Sequence, residues 1–535
     1  MALYAIIFLT GAAVLALELL ASRIMTPYFG VSLYIWTGIL SITLVALAAG
    51  YWAGGKIAAG RNGKPRPVEQ LAFLYALMPA LAALAVVAAC LAYPFLFRPL
   101  AESDLVLGAF AACMVLLFVP LVATSAMNPL LVAILLRGTG ASAADAGAGR
   151  VFFVSTIGSV AGVFATAFFL IPHLSNFAST LVVAVALAAL PLVLLARPPL
   201  PLVARRTVAA TAGAALVLAL TLFVLGDRYI GQLWPAQYGG REWTRETAFR
   251  SHFGTVQILR SAPAADGSFR RLYFQDGITQ NSVAHDGRSL SMYTYALDAL
   301  ARAHAPAMRS ALVLGLGAGI VPMRFAERGL AVTAIDIDPA SARAATEVFG
   351  FRPDRVTMVI EDARTYLRNC TGGYDVVVVD LFHGDGVPDY LVTRDFFRDL
   401  RKCLAPGGVA VFNTFADLEH PRPYAHFLAT LRAELPHVVV YRPDYAGFAQ
   451  INSFVVAAAS PLAPPVPVAV DDAPDIHALT LRDMLRNPRP LDAVLLAHGE
   501  IITDSRNTVA EDIARGQLHH RQSVVRNVPP AFLVN

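Results

Sequence analysis

The residues in this chain whose types and spacing can do chemistry begin with three glycines and an acid. Gly315, Gly317 and Gly319 alternate just after a short apolar run at 311–314. Asp336 follows the last of them by 17 residues, at the end of a second apolar run at 331–335, with Asp338 two residues on. Glycines let a backbone turn sharply and approach a ligand with no Cβ in the way. A carboxylate at the tip of the second strand can accept both hydroxyls of a ribose. Strand, glycine turn, helix, strand and acid together make the first half of a nucleoside-binding α/β unit.

Two further acids fall at equivalent places. The run 356–360 ends in Glu361-Asp362-Ala363, where Asp362 can either bind an adenine amino group or cap the next helix. The run 374–379 is nearly all valine, as in a buried parallel strand, and ends at Asp380 in a loop rich in glycine and proline. Ligands of open α/β sheets bind beyond the carboxyl ends of the strands. Asp336, Asp338, Asp362 and Asp380 are all expected at that edge. Asp380 is the candidate catalytic base, because burial raises the basicity of a carboxylate that must take a proton from an amine. His383 and Asp385 share its loop, and a lone loop histidine is more often a bystander than an acid or base.

The elements that must position these groups form an α/β domain over 289–460, with a helix at 289–303 leading into the first strand. Before it, 227–288 has the pattern of short antiparallel strands, at 251–260 and 270–275, with a tight turn at Asp276-Gly277. Gln280, just past that turn, reads from composition alone as a polar strand residue. After the domain, 461–467 is rich in proline and 473–535 is a mixed extension expected to pack on the catalytic domain.

The first 226 residues are of another kind. The chain of 535 residues is 56% hydrophobic and 15% charged, and the apolar excess lies before Asp227. Seven runs there can each cross about 30 Å of hydrocarbon: 2–21, 33–57, 68–95, 105–135, 151–171, 177–196 and 207–225. The fourth, with Pro120 and Pro129, is expected to kink or to re-enter. No small-residue cleavage site follows the first run, so it reads as a helix rather than a removed signal. Glu18, inside the first run, is either a functional carboxylate or a partner of Arg23 or a neighbouring helix.

Basic residues such as Lys56, Arg61, Lys64, Arg137, Arg150 and Arg206 follow the second, fourth and sixth runs, whereas Arg23 and Arg98 follow the first and third. The positive-inside bias therefore puts the N-terminus in the cytoplasm. Seven crossings then leave the α/β domain outside, against the expectation that a cofactor-using domain faces the cytoplasm. A net charge of +4 is too small at this length to indicate nucleic acid, and the four cysteines show no disulfide or zinc spacing.

These residues resemble the spermidine synthase (aminopropyltransferase) group of class I methyltransferase-like folds. More closely, the chain resembles its membrane-fused members. The likeness is clearest over 272–414 and extends to 23–30 (RIMTPYFG) and 158–172. Phe274-Gln275-Asp276-Gly277-Ile278-Thr279-Gln280 is similar to the family's L-D-G-x-x-Q turn, which implies that Gln280 contacts the methylthioadenosine part of the donor. GLGAG lacks the acid inside the family's GGGDGG. Asp336 stands where the family has a ribose-binding Glu, and Asp362-Ala363 matches its adenine-contacting pair. Asp380 matches the first acid of its D-S-S-D-P loop, the residue credited with deprotonating the attacking amine. Tyr293 and Asp385 would then face the acceptor. The stretch Ser-Leu-Ser-Met-Tyr293-Thr-Tyr295 lacks the family's polyamine-grasping acids, and an unpaired buried ammonium is costly. The acceptor half of the site is therefore expected to differ.

The expected fold is a multi-span α-helical membrane domain fused, through a small β segment, to a Rossmann-like class I methyltransferase-like domain. The expected activity is transfer of an aminopropyl or related group from S-adenosylmethionine or its decarboxylated form to an amine, with no metal. The location is the inner membrane, multi-pass, with the lipid bilayer and a small amine as partners; nucleic acid is not one, and a homodimer is compatible. The competing readings are an S-adenosylmethionine-dependent methyltransferase and a transporter with an adenosyl-metabolite-sensing domain.

Overall fold

The structure is a computed structural model that describes residues 2–31, 33–60, 65–139, 144–195, 202–382, 386–417, 419–443 and 450–535. It divides into two compact units, Met1–Tyr238 with Val524–Asn535, and Gly239–Ser523.

Among the described residues of the first unit seven helices are long and apolar enough to cross a membrane: Leu3–Phe29, Ile35–Ala59, Val68–Ser103, Leu105–Arg137, Gly147–His173, Asn176–Leu195 and Leu202–Gly231. The expected break in the fourth takes the form of a wider π-helical turn at Met114–Phe118, just before Pro120. Such a turn absorbs the hydrogen bond that a proline cannot donate, so the helix runs on. Gly158 and Gly162 face backbone carbonyls of Phe8 and Ala12 so closely that a Cβ at either would collide. Bare glycine surfaces let the first and fifth helices approach, the usual route to packing where no hydrophobic drive exists between helices. The last helix continues past the expected end at residue 225 to Gly231. Residues 227–238 and 524–535, expected to lie with the soluble part, belong to this unit. Phe532 stacks on Trp234, with ring centroids 5.4 Å apart. A ring stack of that kind is invisible to local sequence patterning.

The second unit opens with an antiparallel meander, β1 (Arg241–Ser251), β2 (Gly254–Ser261), β3 (Arg270–Gln275) and β4 (Ile278–Ala284). Then come β5 (Ser310–Leu314), β6 (Ala331–Asp336), β7 (Thr357–Ile360), β8 (Tyr374–Val379), β9 (Leu404–Asp417), β10 (His437–Tyr441) and β11 (Gln450–Ala458). These seven form one sheet in the order β10-β11-β9-β8-β5-β6-β7. Strands β9 through β7 are parallel, and β11 is antiparallel to both β9 and β10. The chain leaves β5 toward β6 and β7, then returns to lay β8 on the other flank of β5. The strand order thus reverses between β5 and β8, where ligands of open sheets bind.

Both sheet faces are covered, which explains the unbroken valine run of β8. Val376 and Val378 pack toward helices Met292–His304 and Ile320–Glu327. Val377 and Val379 pack on the opposite side with Phe396, Phe397 and Leu428. Helix Met292–His304 starts three residues later than expected. It is tied down by Asp298, a fully buried carboxylate that meets Arg302, Arg324 and Arg328 at 2.8–3.1 Å. Strand β9 is longer than the expected 409–413, running through a register shift after Leu404. The reading of the cysteines needs correction. Cys370 and Cys403, 33 residues apart, form a disulfide with Cα atoms 5.6 Å apart. They end two neighbouring helices, Ala363–Asn369 and Arg394–Cys403, a proximity set by tertiary packing rather than spacing.

Candidate active site

Parallel register makes the site. Leu314 sits opposite both Ile335 and Val379, and Asp336 opposite Ile360. The residues just past these positions, Gly315, Asp336, Glu361-Asp362 and Asp380, therefore emerge along one edge. A cavity of about 600 Å³ opens there, of the size that holds a nucleoside-like ligand. Gln280, Tyr293, Gly315, Gly317, Asp336, Asp338, Asp362, Ala363 and Asp380 all line it. Asp385 and His383 lie outside the described residues. Gly319 does not line the cavity: a Cβ there would stand 2.9 Å from the Phe351 ring, so it serves helix–sheet packing.

Gly315 has φ 94°, and a Cβ on it would collide with the carbonyl oxygen of Asp380. Only glycine lets β5 and β8 close up at this point. The turn it opens aims backbone N–H groups at Asp336, whose carboxylate accepts from Leu316 N at 2.9 Å and Asp338 N at 2.8 Å. Burial, outweighing these hydrogen bonds, raises Asp336 to about 6. Asp338 itself caps helix Pro339–Val348 through Ala340 N at 2.8 Å and is almost fully buried. Its first duty is to position the turn.

Asp362 fulfils one of its two expected roles visibly. Its Oδ1 accepts from Thr365 N at 2.9 Å and caps the helix that follows, while Oδ2 accepts from Tyr390 Oη at 3.1 Å. The cap fixes the carboxylate at the cavity wall, where it can still accept from a ligand amino group.

Asp380 is placed differently. Burial raises it to about 6, the nearby Asp336 adds to the rise, and a hydrogen bond from Asn413 opposes it. Asn413 Nδ2 donates to Asp380 Oδ1 at 2.8 Å, and Asn452 Nδ2 donates to Asn413 Oδ1 at 3.1 Å. This chain of amides orients Asn413 so that its donor faces the carboxylate; Asn452 stands opposite Phe415, diagonally across the antiparallel β9–β11 ladder from Asn413. Tyr293 accepts from Asn281 Nδ2 at 3.0 Å, and burial followed by the Asp380 charge pushes its hydroxyl well above the ordinary range. It stays neutral and can donate.

Tyr390, Asn413, Phe415, Asn452 and His520 are among the lining residues that the sequence reading did not assign to the site. A signal existed for Asn413, a lone amide closing the apolar run Val409–Phe412. None existed for His520, which reaches the cavity from helix Val509–Asn527. Among the described residues no group of three or more His, Cys, Asp or Glu side chains is arranged to hold a metal.

A mostly parallel sheet with an acid at each of several strand ends around a glycine turn is a Rossmann-like, class I methyltransferase-like arrangement. Residues 292–448 match the spermine/spermidine synthase domain. The polyamine aminopropyltransferase of Vibrio vulnificus is 34% identical over 128 residues, 23% of this chain and 42% of that protein. The chain thus spans less than half of that relative's length. The polyamine aminopropyltransferase of Mycobacterium tuberculosis is 27% identical over 408 residues, 71% of this chain and 74% of that protein. That share exceeds everything after Gly226, so the likeness reaches into the apolar half. The spermidine synthase structure from Thermotoga maritima aligns over 52% of this chain and 89% of its own, at 16% identity and TM-score 0.34.

Proposed function

We propose that this protein is a membrane-bound transferase that alkylates an amine from an S-adenosyl sulfonium donor, by aminopropyl transfer from decarboxylated S-adenosylmethionine. The observation that supports it best is the pairing, in one cavity, of an adenosyl-type wall with a carboxylate raised to about 6. The wall is Gln280, the Gly315 turn, Asp336 and Asp362; the carboxylate is Asp380.

In this reading Asp336 accepts the ribose hydroxyls, Asp362 the adenine amino group, and Gln280 contacts the methylthioadenosine portion. The amine lone pair attacks the propyl carbon bound to sulfur. The C–N bond forms as the C–S bond breaks, the bonding pair returns to sulfur, and neutral methylthioadenosine leaves. Asp380 takes the proton that the amine must shed, and Asn413 holds the carboxylate in line. Orientation and one proton transfer are all the protein must supply. Tyr293 and Asp385 are assigned to the acceptor. The seven apolar helices are the membrane anchor, and the transferase half is assigned to the cytoplasm, where such donors are made.

Methyl transfer is the second reading, because the donor wall serves S-adenosylmethionine equally well. Purified protein incubated with either donor and a panel of amines separates the two by product. Methylthioadenosine is expected; adenosylhomocysteine would move the reading to a methyltransferase. Tight binding with neither product would favour sensing.

A further inference from the structure

We propose that Asp504 is a positioning residue for the donor: through Arg364 and Tyr390 it aims the second oxygen of Asp362, and so makes preference for a 6-amino purine depend on a segment beyond the matched domain. This rests on the adenosyl reading of the site above. The family match ends at residue 448, and Asp504 belongs to the extension that follows.

The strand end and the helix cap place Asp362 but occupy only one of its oxygens. Oδ1 accepts from Thr365 N at 2.9 Å and from Thr365 Oγ1 at 3.1 Å. Oδ2 accepts from Tyr390 Oη at 3.1 Å, and Asp362 and Tyr390 both line the cavity. A carboxylate oxygen has two lone pairs. Oδ2 therefore keeps one for a ligand, directed by the bond that Tyr390 makes. An exocyclic amino group can donate into it, whereas a 6-oxo group would set one acceptor against another.

Tyr390 sits in a single 3₁₀ turn, Asp389–Leu391, an element too short to hold itself. Its carbonyls are held from outside. Arg364 Nη1 donates to the Tyr390 carbonyl at 2.9 Å, and Asn507 Nδ2 donates to the Asp389 carbonyl at 3.0 Å. Arg364 is only 8% exposed, and a guanidinium so buried is costly unless it is paired and hydrogen-bonded. Asp504 supplies the pairing. Its Oδ2 accepts from Arg364 Nη2, and its Oδ1 accepts from Thr393 Oγ1 at 2.8 Å. Thr393 caps helix Arg394–Cys403, and Arg364 lies in the first turn of helix Ala363–Asn369. One carboxylate thus grips the starts of both helices that flank the adenine side of the cavity.

Asp504 is itself presented by a closed turn. Thr503 and Arg506 exchange backbone hydrogen bonds at 3.1 Å, and Arg394 N donates to the Ile502 carbonyl at 2.7 Å. Residues 502–507 therefore form a strap over the Tyr390 turn. With the Asp504 carboxylate removed, the charge of Arg364 faces a carbonyl, the guanidinium is drawn to solvent, and the Tyr390 turn loses its tie. The expected consequence is lost aim at Asp362, with the rest of the cavity intact.

The test uses the full-length protein in detergent, with methylthioadenosine and its 6-oxo analogue methylthioinosine titrated by calorimetry. Wild type should prefer methylthioadenosine. Asp504→Ala should weaken methylthioadenosine about tenfold, the effect of one lost hydrogen bond, and methylthioinosine by less than about threefold. Tyr390→Phe, which deletes one exposed hydroxyl and leaves the strap in place, should reproduce that loss. Because Asp504 acts through Tyr390, combining Asp504→Ala with Tyr390→Phe should cost no more than Tyr390→Phe alone. Asp504→Asn, which can still accept from Thr393 but carries no charge for Arg364, should fall between wild type and Asp504→Ala. Unchanged methylthioadenosine affinity in Asp504→Ala, or additive losses in the double variant, would overturn the proposal. Equal weakening of both nucleosides would make Asp504 merely structural and overturn it too, with the adenosyl reading still standing. If the wild-type protein binds neither nucleoside, the adenosyl reading itself fails and this inference falls with it.

Discussion

The two walls of one cavity are built by opposite strategies. The donor wall is local: Gly315, Asp336 and Asp362 each follow the end of their own strand, and adjacent parallel register lines them up. The acceptor wall is assembled from distance. Asn413 and Phe415 come from β9, Asn452 from the antiparallel return, and His520 from the C-terminal helix. Asp380 stands between them, its backbone N–H donating to the Leu314 carbonyl at the end of β5 and its side chain accepting from Asn413. In the proposed reading, a site divided in this way can keep one substrate and change the other, because Gly315, Asp336 and Asp362 are held by their own strand ends.

That division can be broken at three residues. Asp380→Asn should lower kcat by roughly 10²- to 10⁴-fold, the usual range for a lost general base, with methylthioadenosine affinity preserved in calorimetry. Asp336→Ala should do the reverse. Donor affinity should fall about 10- to 100-fold, as expected for lost hydrogen bonds to a charged group, with acceptor KM little changed in steady-state assays.

Asn413→Ala sharpens the comparison through pH. With Asp380 raised to about 6, kcat/KM should fall about tenfold per pH unit below 6, where an ordinary aspartate would hold to about 4. The Asn413 hydrogen bond favours the ionised form, so removing it should move the acid limb to higher pH, and kcat at pH 8 should fall about tenfold or less.

The smallest effect is on stability. Asp380 has a folded pKa above its unfolded value, so the folded protein binds more protons between about pH 4 and 6. Its contribution to stability is therefore full below about pH 4 and is lost as pH rises through 6. Asp380→Asn should stabilise the protein by about 1–3 kcal/mol at pH 8 and little at pH 4, read as a thermal midpoint that rises only at the higher pH.

The same contrast explains what could be read from residues alone. Asp336 and Asp380 were legible because a strand end, a glycine turn and an acid are neighbours in sequence. The parallel sheet then brings such ends together by rule. Asp362 carried two meanings at one spacing, and its cap on Thr365 is seen only in three dimensions. Gly319 looked like a ligand glycine because alternation cannot tell a cavity from the Phe351 ring. Cys370 with Cys403, and Trp234 with Phe532, pair across packed elements, where no spacing signal exists. His520 sits in a helix with no motif, and only the burial of its neighbour Arg521 reveals what holds it in place. The seven apolar runs, by contrast, needed nothing beyond length and hydropathy.

The most direct test of the divided site is a transfer assay with decarboxylated S-adenosylmethionine labelled in its propyl carbons. The wild-type protein should move the label into the amine fraction and release methylthioadenosine in equal amount, while Asp380→Asn binds methylthioadenosine as tightly and moves no label. Label left entirely on the donor by wild type, or loss of methylthioadenosine binding in Asp380→Asn, would contradict the assignment of Asp380 as the base that joins two independently built walls.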